Sequence, residues 1–142
     1  MRSQTHRAIA LHIMHFRREA TLRINQDLAE LGWSAPAYIV LFRLASDEDG
    51  ANQRDLASDA GLDASAVSRL IARLVDEQLV VASVMESDRR QRLIKLTKRG
   101  RRLERALAKI VDAIISQMMS PLETEEQELF LSLLERTTSA LK

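Results

Sequence analysis

QRDLASDAGLDASAVSRLIARL (residues 53–74) decides the reading of this chain. Its apolar positions repeat at helical spacing on both sides of a glycine, which predicts a helix, a tight turn and a second helix. Leu56, Ala60, Leu62, Val67 and Leu70 fall where such a pair buries side chains, and Ala57 falls where the two helices cross closely. Gly61 sits where the turn needs a positive φ. Asp63 stands at the N-cap of the second helix, where its carboxylate accepts from free backbone N–H groups. An arbitrary amphipathic helix does not place all of these at once.

At 100° per residue from Ala64 onward, Val67, Leu70, Ile71 and Leu74 gather on the buried side of the second helix. Ser65, Arg69, Ala72 and Asp76 point the opposite way, with Ala66, Ser68 and Arg73 on the flanks. A face of small and basic side chains suits approach to base edges in the DNA major groove. Arg69 matches a guanine edge, Ser65 several bases and Ala66 a thymine methyl, while Ser68 and Arg73 suit phosphates or the bracing of a neighbour. The alternative is a solvated helix face that binds nothing.

The next segment favours DNA. LVVASVM (79–85) and QRLIKLT (91–97) are β-favouring runs joined by ESDRR (86–90), which predicts a two-stranded antiparallel hairpin with a charged tip, the wing of a winged helix. Arg89, Arg90, Arg92 and Lys95 lie on the wing, and Lys98, Arg99, Arg101, Arg102 and Arg105 open the following helix. With Glu86, Asp88 and Glu104 against them, residues 86–105 net +6 in a chain whose overall charge is +1. Basic charge gathered beside a reading helix is the distribution of a phosphate-binding face.

On GLDASAVSRLIARL in the reading helix and SDRRQRLIKLTKRG across the wing, the chain resembles the MarR family of bacterial transcriptional regulators. Asp88, Arg90, Leu96, Thr97 and Gly100 fit that family's wing pattern; Gln78 departs from it, because relatives often carry glycine at the end of the reading helix. The resemblance implies a mainly α fold with a small β-wing, a winged helix-turn-helix core flanked by long N- and C-terminal dimerisation helices. It implies that Arg90 enters the minor groove, a role that an extended arginine also suits on electrostatic grounds. It further implies that Asp88 holds a basic side chain, Arg73 or Arg89. Aromatic or phenolic effectors of the family lodge between the dimerisation helices and the reading lobe. The candidates here are His12, His15, Trp33, Tyr38 and Phe42, with ordinary core packing as the alternative for the three aromatics.

The flanking segments complete one domain over residues 1–142, with the reader at about 34–99 and dimerisation helices at about 3–31 and 98–142. The first helix is expected over Ser3–Leu31, stopping at Gly32, with Ile9, Ile13, Phe16, Ala20, Ile24, Asp27 and Leu31 in one stripe and Leu11, Leu22 and Leu28 elsewhere. Ser34 can cap the next helix, which has Pro36 in its first turn and is expected to bury Ile39, Val40, Phe42 and Leu44. Leu103, Leu107, Ile110, Val111, Ile114 and Met118 keep a helical stripe after the wing until Ser120-Pro121 breaks it. Thr124 and Gln127 are spaced as a capping box for a last helix carrying Leu129, Phe130, Leu133, Leu134 and Leu141. These ends carry more apolar surface than a winged core covers, so a homodimer on a pseudo-palindromic duplex operator is expected, with a self-packed monomer as the alternative.

The remaining composition excludes more than it assigns. No cysteine means no disulfide, thiolate metal site or cysteine-based redox sensing. His12, His15 and Glu19 are spaced for one helix face, yet no fourth ligand accompanies them, so no metal and no cofactor is expected. No signal peptide and no apolar run of 18 residues are seen, so a cytoplasmic protein without a membrane partner is expected. No nucleophile–base pair or glycine-rich phosphate loop points to an enzyme. A ligand-responsive repressor is the leading reading, beside an architectural DNA binder and a winged-helix protein-interaction module.

Overall fold

The computed structural model describes residues 1–142. Six helices and three short strands follow one another as α1 (Arg2–Ala29), α2 (Ala35–Ala45), β1 (Ala51–Asn52), α3 (Gln53–Ala60), α4 (Ala64–Asp76), β2 (Val80–Val84), β3 (Arg92–Leu96), α5 (Lys98–Met119) and α6 (Thr124–Ser139). This is the expected mainly α winged helix with long helices at both ends. The wing has a third strand: β1 lies antiparallel on the far side of β3, with Ala51 opposite Ile94. A two-residue strand has too little alternation to be seen in sequence. No helix is long and apolar enough to cross a membrane.

The core belongs to the reader and the helices it touches. Val40, Leu41 and Leu44 of α2, Leu56 of α3, Ile71 and Leu74 of α4, Ile94 of β3 and Leu107 of α5 are all buried. Leu28 joins them at zero exposure, although the sequence placed it off the main stripe of α1. That stripe is instead open: Ile9, Ile13, Phe16 and Leu31 remain substantially exposed. Ile39 and Phe42 are also exposed, against expectation, and Leu41 takes the buried position. The sheet and α5 lie to one side of α2, so its buried face is rotated from the one its largest side chains suggest.

Local chemistry sets the boundaries. Ala66 N–H donates to Asp63 Oδ1 at 2.7 Å, and Asp55 N–H donates to Asn52 Oδ1 at 2.8 Å, so α4 and α3 are both capped. Gly61, at φ 65°, closes α3: its N–H reaches Ser58 O at 3.2 Å and the next N–H reaches Ala57 O at 2.9 Å. Gln78 repeats that turn after α4 at φ 58°, with Leu79 N–H on Leu74 O at 2.8 Å. A left-handed turn that glycine adopts freely is therefore held here by a residue that strains to adopt it.

Thr97 ties the wing to α5. Its N–H donates to Leu79 O at 3.0 Å, its hydroxyl donates to Gln78 O at 2.7 Å and lies 3.0 Å from Leu79 O, and its oxygen accepts from Gly100 N–H at 3.0 Å. A Cβ at Gly100 would overlap the Leu79 carbonyl, which explains why the pattern ends in glycine. The capping box of α6 sits one residue before the expected place: Glu123 is the N-cap and Glu126 its partner. Gln127 instead donates to the Leu122 and Met119 carbonyls at 3.0 and 3.3 Å, closing the bend after α5.

Candidate nucleic-acid interface

Capping at Asp63 and burial of Val67, Ile71 and Leu74 hold α4 against the core with its other face outward. Ser65, Ser68, Arg69 and Arg73 are exposed, and Ala66 is half-buried. Arg69 Nη1 donates to Ser65 Oγ at 2.8 Å, one helical turn away, so the two most outward polar side chains are pre-ordered together. Ser68 Oγ accepts from Gln53 Nε2 at 3.0 Å, a cross-tie between α3 and α4.

Arg73 has a different position. Its guanidinium lies 3.6 Å from the centroid of Trp33, its Nη1 donates to Gly32 O at 2.9 Å, and its Nε stands 3.6 Å from Glu77. It braces the corner between α1 and α2, one of the two roles its flank position allowed, and the stacking covers an indole buried from its other side. Asp88 holds neither Arg73 nor Arg89. Its carboxylate accepts from Arg90 N–H at 3.0 Å and its carbonyl accepts from Gln91 N–H at 2.9 Å, so it shapes the wing tip through backbone bonds. Short Asp side chains reach backbone two residues on more readily than a guanidinium across the fold.

The wing brings its arginines back toward the helix pair. Arg90 and Arg92 line a cleft of about 380 Å³ with Gln53, Arg54 and Ser68. None of the five ion pairs in the chain engages Arg54, Arg69, Arg89, Arg90 or Arg92, so the cations of this face have no protein counter-charge. Sequence reasoning did not single out Gln53 and Arg54. The available signal was Asn52 three residues before Asp55, which marks a helix start and places the next two side chains beside α4.

The family model for the MarR family matches residues 31–91, from the end of α1 through the wing tip. The transcriptional regulator HosA of Escherichia coli O111:H- is 29% identical over 120 residues, covering 84% of this chain and 87% of that protein. CouR of Rhodococcus jostii RHA1, solved bound to p-coumaroyl-CoA, superposes with a TM-score of 0.78 at 27% identity over 94% of this chain and 90% of that one. MepR of S. aureus, solved in complex with DNA, gives 0.75 at 25% identity over 92% and 96%. The chain thus matches the MarR family over its reader and is similar to MarR-family regulators over most of its length. The relatives it matches are transcriptional regulators, one of them solved on DNA.

The five effector candidates do not meet in one site. His12 and His15 line a cavity of about 420 Å³ with Phe16, Met118, Phe130 and Leu134, where Phe16 meets Phe130 edge-on at 6.2 Å. Trp33 lies under Arg73 as core. Tyr38 and Phe42 form a separate pair, ring centroids 6.0 Å apart. Burial pushes the Tyr38 phenol above its ordinary value, helped by the negative charges of Glu104 and Asp112. Burial likewise raises Glu104, opposed by Arg105 and Arg101 and reinforced by Asp112.

Proposed function

We propose that the protein is a ligand-responsive repressor that binds a pseudo-palindromic operator as a homodimer. The observation that carries the DNA part is the face just described. Ser65, Ala66, Ser68 and Arg69 on α4 stand beside wing arginines with no protein counter-charge. In this reading α4 enters the major groove and Arg90 the adjacent minor groove, with Arg89 and Arg92 on phosphates and Arg73 holding the corner behind them.

The homodimer is supported by area. A compact monomer of 16.1 kDa exposes about 7,400 Å². This chain exposes 10,500 Å². The excess is about 3,000 Å² per protomer, or about 6,000 Å² for a pair, at the large end of what obligate pairs bury. It concentrates on Ile9, Ile13 and Phe16 of α1 and on Leu129 and Leu133 of α6. The His12–His15 cavity lies among those helices and is the size of a small-molecule site. CouR with p-coumaroyl-CoA, and PcaV of Streptomyces coelicolor with its natural ligand, show relatives that take ligands. A small aromatic or phenolic effector there acts by favouring a dimer geometry that no longer matches the groove spacing.

Selection of bound fragments from a genomic duplex pool tests this reading. The expected product is a pseudo-palindrome with half-sites ~10 bp apart, or a multiple of that. Arg69→Ala should relax preference at one or two base pairs by ~1–3 kcal/mol. Selection that recovers no common sequence rejects the operator and leaves an architectural binder.

A further inference from the structure

The cleft between the helix pair and the wing has chemistry that base reading does not use. Arg54 from the first turn of α3 and Arg90 and Arg92 from the wing converge on it, with Gln53, Ser68 and Gln91 between them. Three guanidinium groups on one cleft without a carboxylate repel one another, and the low-dielectric wall strengthens that repulsion. A second observation points the same way. Gln53 spends its amide N–H on Ser68, while its Oε1 is buried with no hydrogen-bond partner. An orphaned acceptor of this kind costs about 1–3 kcal/mol until a donor reaches it.

We infer that this cleft is a phosphate seat that takes one DNA backbone phosphate, with Arg54 as its principal fixed ligand and Arg92 closing on it from the wing as Arg90 leaves for the minor groove. The inference rests on the regulator reading. The single negative charge of the phosphate offsets the repulsion between Arg54 and Arg92. A guanidinium drawn onto it still has donors free, because each carries five N–H groups, and these can serve Gln53 Oε1. Because α3 and the wing share the one anion, the seat sets the register of the wing relative to α4. It adds affinity and no sequence preference.

Arg54 is exposed and pairs with nothing, so Arg54→Ala leaves the fold intact; an unchanged melting temperature checks that. With a fluorescent duplex, the plot of log affinity against log salt should become shallower by about 0.9 for the variant. The fold-loss should be the same on the selected operator and on random duplex, and Arg136→Ala on α6 should change neither. Inorganic phosphate titrated into ¹⁵N-labelled wild type should move the Gln53, Ser68 and Arg92 amide signals, and should not move them in Arg54→Ala. A wild type that binds DNA beside a variant with the same salt slope overturns the seat and leaves the regulator standing. A loss confined to the operator also overturns it, because that is base readout. Phosphate-induced shifts in a wild type that binds no duplex would leave a free-anion site only, overturning the DNA-phosphate role together with the regulator reading.

Discussion

The reader and the terminal helices draw on the same residue types and use them in opposite ways. Between Trp33 and Ile94, aliphatic side chains from three helices and a sheet close over one another, so Leu41, Leu56, Ile71 and Ile94 reach zero exposure. In α6 no residue is buried, and in α1 only Leu28 is. The contrast teaches that exposure here is organised rather than a sign of poor packing. The closed region has its caps and turns satisfied within one chain. The open region is equally well-formed helix whose apolar face lacks a covering surface in one copy.

The two regions should therefore fail differently when perturbed. Ile13→Asp places a charge on the open face. On the proposed homodimer it should leave a monomer by sedimentation and weaken duplex binding roughly 10²-fold or more, through lost avidity, with the reader still folded. A variant that remains dimeric would erase the distinction drawn here. Gly100→Ala attacks the closed region instead. The added methyl collides with the Leu79 carbonyl at the Thr97 junction, and denaturant unfolding should show a loss of about 2–3 kcal/mol.

Smaller changes sharpen the picture within the reader. Gln78→Gly relieves a left-handed backbone at the end of α4 and should raise unfolding stability by about 1 kcal/mol while leaving operator affinity alone. Glu104→Gln should have the smallest effect, and one that depends on pH. Burial raises the Glu104 carboxyl in the folded state, so its stability contribution is fully present below the ordinary carboxylate range and is lost as pH rises through the folded value. The variant should gain on wild type with rising pH, and the difference should vanish in acid, read by thermal melts across pH 3–8.

Much of the reader was legible because its determinants are local. Asp63 three residues before a free N–H, Gly61 at a forced left-handed turn, and Val67, Ile71 and Leu74 on one face all depend on spacing along a few residues. The same holds for Ser120-Pro121 and the strands of the wing. Errors arose where the partner is distant in sequence. Phe42 looks like core, yet its face of α2 points away from the sheet and α5. Ser34 caps α2 as expected, its hydroxyl accepting from Ala37 N–H at 3.5 Å, but the N–H of Ala35 is held by Asn25 Oδ1 at 2.7 Å, ten residues back on another helix, which spacing did not show. Of the interface residues, those on the outward stripe of α4 could be named from periodicity, while Gln53 and Arg54 needed the packing of α3 against the wing.

Periodicity and turn chemistry alone were enough to establish a helix-turn-helix with a basic wing, because helix caps, φ preferences and the 3.6-residue repeat act within a few residues. Which face of α1 and α2 is buried, the short strand at Ala51, the Arg73–Trp33 stack and the convergence of three arginines came from the assembled fold. An apolar residue carries no address beyond its own helix, and a guanidinium finds its partner through space; Arg73 meets the carbonyl of Gly32 across 41 residues of chain.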